Sequence, residues 1–327
     1  MLRYILWRLL LNLLVLLLVA SLVFLVLRLT PGGVLEAAAQ GAQGDPRQAR
    51  EAVRRSLGLD RPLPWQYWDY ISGLARGDLG QSFRTRAPVM EEIRQRIGPS
   101  LELGLLQLAV AIATGVPVGV LAAVRRDTWA DYLLRGATVL LLGIPAFVLA
   151  IFALLFCARY LGWTPPITAY RDLVPLPPFD TPAPEDPWAN LQVMALPALI
   201  GGLGTGAIVM RFLRSQMLEV LGREYVRTAW AKGLQARAVV LRHALRNALL
   251  PVVTVVGLVL GTLVAGNVVL EAIFLIPGLG LYAVNGVRQN DYPVVQGMTL
   301  LVACFLVFVN LLVDVLYAWL DPRIRYA

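Results

Sequence analysis

The chain has 327 residues, of which 58% are hydrophobic and only 15% charged, with a formal net charge of +8. This balance excludes a large water-soluble domain and is the composition of an integral membrane protein. The positive surplus does not point to nucleic acid, because the basic residues cluster at the ends of apolar segments, where they report topology.

Arg3 and Arg8 precede an apolar run from Leu9 to Leu27 that is long enough to cross the hydrocarbon core. The run exceeds the roughly 7–15 residues of a signal-peptide core, so residues 1–29 are read as a retained first span with its N-terminus inside. The alternative is a signal peptide cleaved near Ala37-Ala38-Ala39. Residues 30–98 form a long polar, extracytoplasmic region with two helical patterns. Trp65, Trp68, Ile71 and Ala75 share one face, and Val89, Ile93 and Ile97 another. Clustered Trp65, Tyr67, Trp68 and Tyr70 suit the outer membrane interface, and a small packed subdomain fits them equally well.

A second span covers 99–124, opened by Pro99 and Ser100 with Glu102 near its N-terminus, and Pro117 should bend it. Arg125, Arg126 and Arg135 place the next loop inside. The third span covers 132–161, with Pro145 near its middle. Residues 162–192 are proline-rich and acidic, so they belong outside. The fourth span, 193–213, carries the run Gly201-Gly202-Leu203-Gly204-Thr205-Gly206, which serves either as a flexible gate or as a face for close helix packing.

Residues 217–248 then carry Arg227, Lys232, Arg237, Arg242 and Arg246 between two apolar segments. Apolar residues at helical spacing, broken by Gly233, predict a short helix, a turn and a second helix leading into the next span. A basic connector so close to two spans lies on the cytoplasmic side. A fifth span at 249–272, an external loop at 273–293, a sixth span at 294–320 and a basic tail at 321–327 complete the chain. The expected fold is all-α: a polytopic membrane protein of six transmembrane helices with both termini cytoplasmic.

Several stretches resemble ABC-importer permeases of the dipeptide and oligopeptide branch, which also includes nickel and glutathione permeases. In the connector these are Tyr225-Val226-Arg227-Thr228-Ala229, then Ala231-Lys232-Gly233-Leu234, then Arg242-His243-Ala244-Leu245-Arg246-Asn247-Ala248. Outside it they are LGLDRPLPWQYW, GDLGQSF, PGLG, DYPVVQG and VNLLVDVLYAWLDPRIR. The broader permease signature has Glu-Ala-Ala where this chain has Arg227, Thr228 and Ala229, a departure common in the peptide branch. The resemblance implies a type I ABC importer transmembrane domain in a bacterial or archaeal inner membrane. It also implies that the connector is a coupling loop docking on an ATPase subunit, with Glu224, Tyr225, Arg227, Thr228, Ala229, Ala231, Lys232, Gly233 and Leu234 at the contact. The partners it implies are a homologous second permease, two ATP-binding subunits that hold ATP and Mg, an extracytoplasmic substrate-binding protein and membrane lipid.

The chain has no GxxxxGK[ST] loop, and its only lysine, Lys232, sits in a different context, so nucleotide hydrolysis belongs elsewhere. One histidine, His243, and two cysteines inside apolar runs, Cys157 and Cys304, offer neither a catalytic set nor a metal site. Among in-span polar groups, Asn310 and Asp314 share a face, and Glu271 follows Asn267 by one turn. Interhelical hydrogen bonds are expected of them before substrate contact, and no pathway residue is assigned. Nickel, glutathione, sugars and opines are alternative cargoes. A gradient-driven secondary transporter would need midplane ionisable groups and an inverted repeat. A membrane enzyme would need a set such as HExxH or GxSxG, absent here.

Overall fold

In this computed structural model the described residues are 2–29, 60–165, 187–249, 251–253, 256–257 and 267–320, with residues 47, 48, 51 and 54 besides. Half of the expected fifth span, the tail at 321–327 and most of the acidic loop lie outside them, as does the side chain of Asp314.

The described elements are helical, in the order α1 (Leu2–Leu29), α2 (Leu63–Ala75), α3 (Val89–Val124), α4 (Trp129–Gly143), α5 (Ala146–Phe156) with a π-helical extension (Cys157–Leu161), α6 (Pro187–Leu221) and α7 (Glu224–Ala231). After a turn come Ala236–Ala238, a π-helix (Val239–Leu245), α8 (Val268–Ile273), α9 (Leu279–Arg288) and α10 (Tyr292–Leu320). Four helices (α1, α3, α6 and α10) are long and apolar enough to cross a membrane, and α4 with α5 and its extension makes a fifth such span, bent by 100°. The bend falls at Pro145: Ile144 before it is extended (φ −93°, ψ 122°), as a residue preceding proline prefers. α3 differs from expectation at its start. It begins at Val89 and runs through both Pro99 and Pro117, so Glu102 lies well inside the helix and not in its first turn.

The centre of the molecule is the pairing of α3 with α6. A Cβ on Gly115 would lie 2.6 Å from the Gly206 carbonyl, one on Gly202 2.5 Å from Val110 Cβ, and one on Gly206 2.5 Å from Thr114 Oγ1. Without side chains at these positions the two backbones approach closely enough for extended van der Waals contact, the main attraction available between helices in lipid. The glycine run of α6 is therefore a packing face at Gly201, Gly202 and Gly206; only Gly204 meets open space. Contacts climb in step from Gln107 with Gly201 to Gly119 with Leu213, so the helices run parallel. Parallel neighbours require the chain between them to return across the same thickness. α4 and α5 make that return: Asp131 pairs with Arg214, Thr138 with Met210, and Ala150 shares a cluster with Met194 and Ala198.

Among the described residues, apolar clusters fill the middle and both ends of the interior. Leu103, Ala150, Met194, Leu270 and Phe274 fill the middle of the α3, α5, α6 and α8 packing. Val89, Ile93, Leu279, Tyr282, Val294 and Met298 join α3, α9 and α10 at one end. Ala123, Leu213, Met217, Ala244, Ala248 and Val252 join α3, α6 and the helix after α7 at the other. The two helical patterns of the polar region thus part company. Val89 and Ile93 are buried, whereas Trp65 and Trp68 are 62% and 66% exposed. The α2 tryptophans therefore face outward, as rings do at a bilayer interface, and are not the core of a packed subdomain.

Candidate functional site

The connector after α6 folds by local rules. α7 starts at Glu224, whose carboxylate favours a helix N-terminus, and Thr228 Oγ1 donates to the Glu224 carbonyl at 3.0 Å. Its end is a Schellman turn. Gly233 adopts φ 74°, its N–H donates to Trp230 O at 2.9 Å, and the Leu234 N–H donates to Ala229 O at 3.4 Å. A Cβ on Gly233 would meet nothing within 4 Å, so glycine is needed there for its backbone conformation and not for room.

The inward face of α7 is Val226 and Ala229, which pack with Val239 against Val220 and Leu221. A side-chain bond ties α7 to the returning helix: Asn247 Nδ2 donates to Tyr225 Oη at 3.0 Å. The expected site residues Glu224, Tyr225, Arg227, Thr228, Ala231, Lys232, Gly233 and Leu234 are all exposed on one continuous surface. Ala229 is not among them; it is buried beneath that surface, so its role is packing. The Arg227 guanidinium contacts Glu224 at 3.4 Å, and both side chains stay largely in solvent. Trp230 was not expected at the site and is half exposed beside Arg227. An indole among basic residues on a short amphipathic helix was the available signal. The segment that follows expectation least is Val239–Leu245. It is π-helical, and His243 within it is half-buried. Wide π turns are uncommon and concentrate at functional positions.

Next to the connector, α6 and α4 are joined by an ion pair. Arg214 Nε and Nη2 donate to Asp131 Oδ1 and Oδ2 at 2.8 and 2.7 Å, and Asp131 is fully buried. The Asp127 N–H adds a third bond to Oδ2 at 3.2 Å. A bidentate guanidinium–carboxylate contact fixes orientation as well as distance. It therefore locks the loop between α3 and α4 to the helix that leads into α7.

The other end of the molecule forms a cap in which carboxylates point inward. Glu271 accepts from Ser100 Oγ at 2.8 Å and from the Leu281 N–H at 2.9 Å, while Ser100 Oγ accepts from the Leu279 N–H at 2.7 Å. Together they cap the N-terminus of α9 with side chains from α8 and α3, and Gly278 is required because a Cβ there would lie 2.4 Å from Glu271 Cδ. Asn290 (φ 52°), in the turn after α9, directs Asp291 onto Ser82 Oγ at 2.5 Å and the Phe83 N–H at 3.1 Å. The GDLGQSF and DYPVVQG stretches thus form one unit. Tyr282 Oη donates to Glu92 Oε2 at 2.5 Å; burial first and that carboxylate second push the phenol up, so it stays a donor. Deeper in, Gln107 Oε1 accepts from Asn267 and Glu102 Oε1 from Asn190, so these four side chains link helices. Asn310 is exposed.

The fold and the connector define the class: a helical multi-pass membrane protein with a basic, solvent-exposed connector between two of its long helices. Residues 115–326 match the family described as the binding-protein-dependent transport system inner membrane component, and residues 1–104 match its N-terminal region family. The chain belongs to this family, the permease components of ABC importers, with the type I importer membrane fold and a multi-pass inner-membrane location. It is 42% identical to the glutathione transport system permease protein GsiC of Salmonella typhimurium over 328 residues, covering 100% of both chains. It is 42% identical over 298 residues to the dipeptide transport system permease protein DppB of Escherichia coli, 88% of both chains. A Brucella ovis protein named as a peptide permease is 41% identical over 326 residues, 99% of both.

Proposed function

We propose that this chain is one half of the translocation pathway of an importer for di- and oligopeptides, driven by ATP hydrolysed on separate subunits. The relatives named for dipeptide, peptide and glutathione transport support a short-peptide cargo, and glutathione, itself a small peptide, is the second candidate. The proposed assembly pairs this permease with a homologous one, two ATP-binding subunits carrying ATP and Mg, and an extracytoplasmic substrate-binding protein. Six spans, near 1–29, 99–124, 132–161, 193–213, 249–272 and 294–320, with both termini cytoplasmic, fit this role; residues 30–98 face outside and 321–327 form the inner tail.

The observation that carries the coupling assignment is the exposed face of α7, held up by a buried packing face and ended by a left-handed glycine. Glu224, Tyr225, Arg227, Thr228, Ala231, Lys232, Gly233 and Leu234 would meet the ATPase, with Ala229 supporting them from below and Trp230 added as an apolar anchor. ATP binding would draw two such connectors together and shift the population toward an outward-open arrangement; hydrolysis would release it inward. The joint variant Arg227→Glu with Gly233→Pro tests this in proteoliposomes with the partner subunits. Membrane insertion should be normal, while peptide uptake should no longer follow ATP hydrolysis. Normal coupled uptake would remove the assignment.

A further inference from the structure

Beyond transport, the junction of α1 and α2 has the form of a lipid site. A cleft of about 340 Å³ opens between them, lined by Ser21, Phe24, Leu25, Leu63, Pro64 and Tyr67. That volume is in the range of small-ligand sites. Its two hydroxyl groups are already engaged. Ser21 Oγ lies 2.7 Å from the Leu17 carbonyl, which takes its single proton, and 2.7 Å from Tyr67 Oη, which must then donate to it. No hydroxyl proton is left to point into the cleft. Phe24 fixes the rear wall by meeting Tyr67 edge-on at 5.4 Å and stacking on Tyr70 at 5.5 Å.

A wall of carbon with its donors spent rejects ions, sugars and peptide backbone, which would lose hydration without new partners. Hydrocarbon is the chemistry that gains. The surroundings identify the hydrocarbon as lipid. Leu25 both lines the cleft and is exposed, and Leu18, Leu22 and Val26 are exposed on the same stretch of α1, a helix that itself qualifies as a span, so the cleft is continuous with that helix's exposed apolar surface. Trp65 and Trp68 stand exposed on the adjoining α2, the position indole rings take at headgroup level. Arg76 lies exposed at the C-terminal end of α2 and supplies positive charge for a lipid phosphate. At the other end of the helix Arg61 is paired with Asp69 at 3.0 Å, which leaves Arg76 as the cation of this pair of ends.

We propose that this cleft holds the upper acyl chain of a phospholipid from the leaflet around the C-terminal end of α1, and that the bound chain pins α2 to the membrane surface. The probe is a phosphatidylethanolamine with a diazirine high on one acyl chain, diluted into phosphatidylethanolamine–phosphatidylglycerol nanodiscs holding the full chain. After illumination, adducts should concentrate several-fold on residues 21–25 and 63–67 relative to the exposed leucines of α1 outside the cleft. Leu25→Trp, which fills the opening, should cut adducts at Tyr67 at least fivefold while leaving those outside the cleft and the melting temperature unchanged. Leu63→Ala, which widens it, should retain them. Even labelling along α1, or equal labelling in Leu25→Trp, would mean bulk lipid contact only and overturn the proposal. Loss of labelling when the partner permease is added would show a protein interface instead and overturn it equally.

Discussion

The cap around α9 and the connector around α7 solve opposite problems with the same residue types. In the cap, Glu271, Asp291 and Glu92 are buried, and each accepts hydrogen bonds from groups distant in sequence. In the connector, Glu224 and Arg227 are largely solvated, and the turn is closed by backbone bonds within a few residues. Buried carboxylates with matched donors stitch helix ends into one block, because removing any member strands a polar group. Solvated charges on a locally closed helix contribute little to stability and leave a surface free to be read by another protein. The cap is where this fold is held; the connector is where it is offered.

The largest effect should come from Glu271→Leu. It strands the Ser100 hydroxyl and the Leu281 N–H and removes the cap of α9, a loss of about 2–6 kcal/mol at about 1–3 kcal/mol for each stranded donor. Folded yield and melting temperature in detergent should both fall, and Glu271→Gln should recover part of each by keeping one acceptor. A melting temperature unchanged in Glu271→Leu would erase the contrast between cap and connector. Asp291→Ala comes next, at about 1–3 kcal/mol, since it unfastens the turn at Ser82 and Phe83 from the start of α10. Limited proteolysis should then cut between residues 77 and 88 sooner than in the parent, ahead of any change in the connector.

That order of effects also explains what the sequence could and could not reveal. The helix-turn-helix of the connector was legible because its determinants are neighbours: apolar residues at helical spacing and a glycine at the left-handed position. The glycine run of α6 was visible, but the choice between gate and packing face was not, since it rests on Val110, Thr114 and Gly115 of another helix. α9 was expected as an external loop. Its N-terminal donors are met by Ser100, far away in sequence, and by Glu271 on the preceding helix, so no cap residue stands at its own start to announce it. The start of α3 was missed for a similar reason, because Pro99 marks a helix start in isolation yet lies here inside a helix packed on several sides. The Asp131–Arg214 pair joins residues from two helices whose pairing only the fold supplies.

Smaller again should be Gly233→Ala. The open space around Gly233 means no clash, so the cost is the left-handed backbone alone, about 1–2 kcal/mol for an alanine held at φ 74°. That cost is local. Hydrogen exchange should quicken in the last turn of α7 while the cap amides keep their protection.

Arg227→Glu should have the least effect on stability and sharpen the comparison most. The side chain is 71% exposed and its contact with Glu224 is long, so the loss should stay within about 0.5 kcal/mol and the melting temperature should barely move. The face it sits on is the one proposed to meet the ATPase, and a reversed charge there repels whatever acidic group the partner presents. Insertion, folding and the cap should be intact, while stimulation of ATP hydrolysis by loaded binding protein drops several-fold. Trp230→Ala separates charge from packing on the same face, because it removes apolar contact and leaves the field of Arg227 and Lys232 unchanged. If Arg227→Glu lowered the melting temperature as far as Glu271→Leu does, the connector would be part of the structural block and not a surface held out from it.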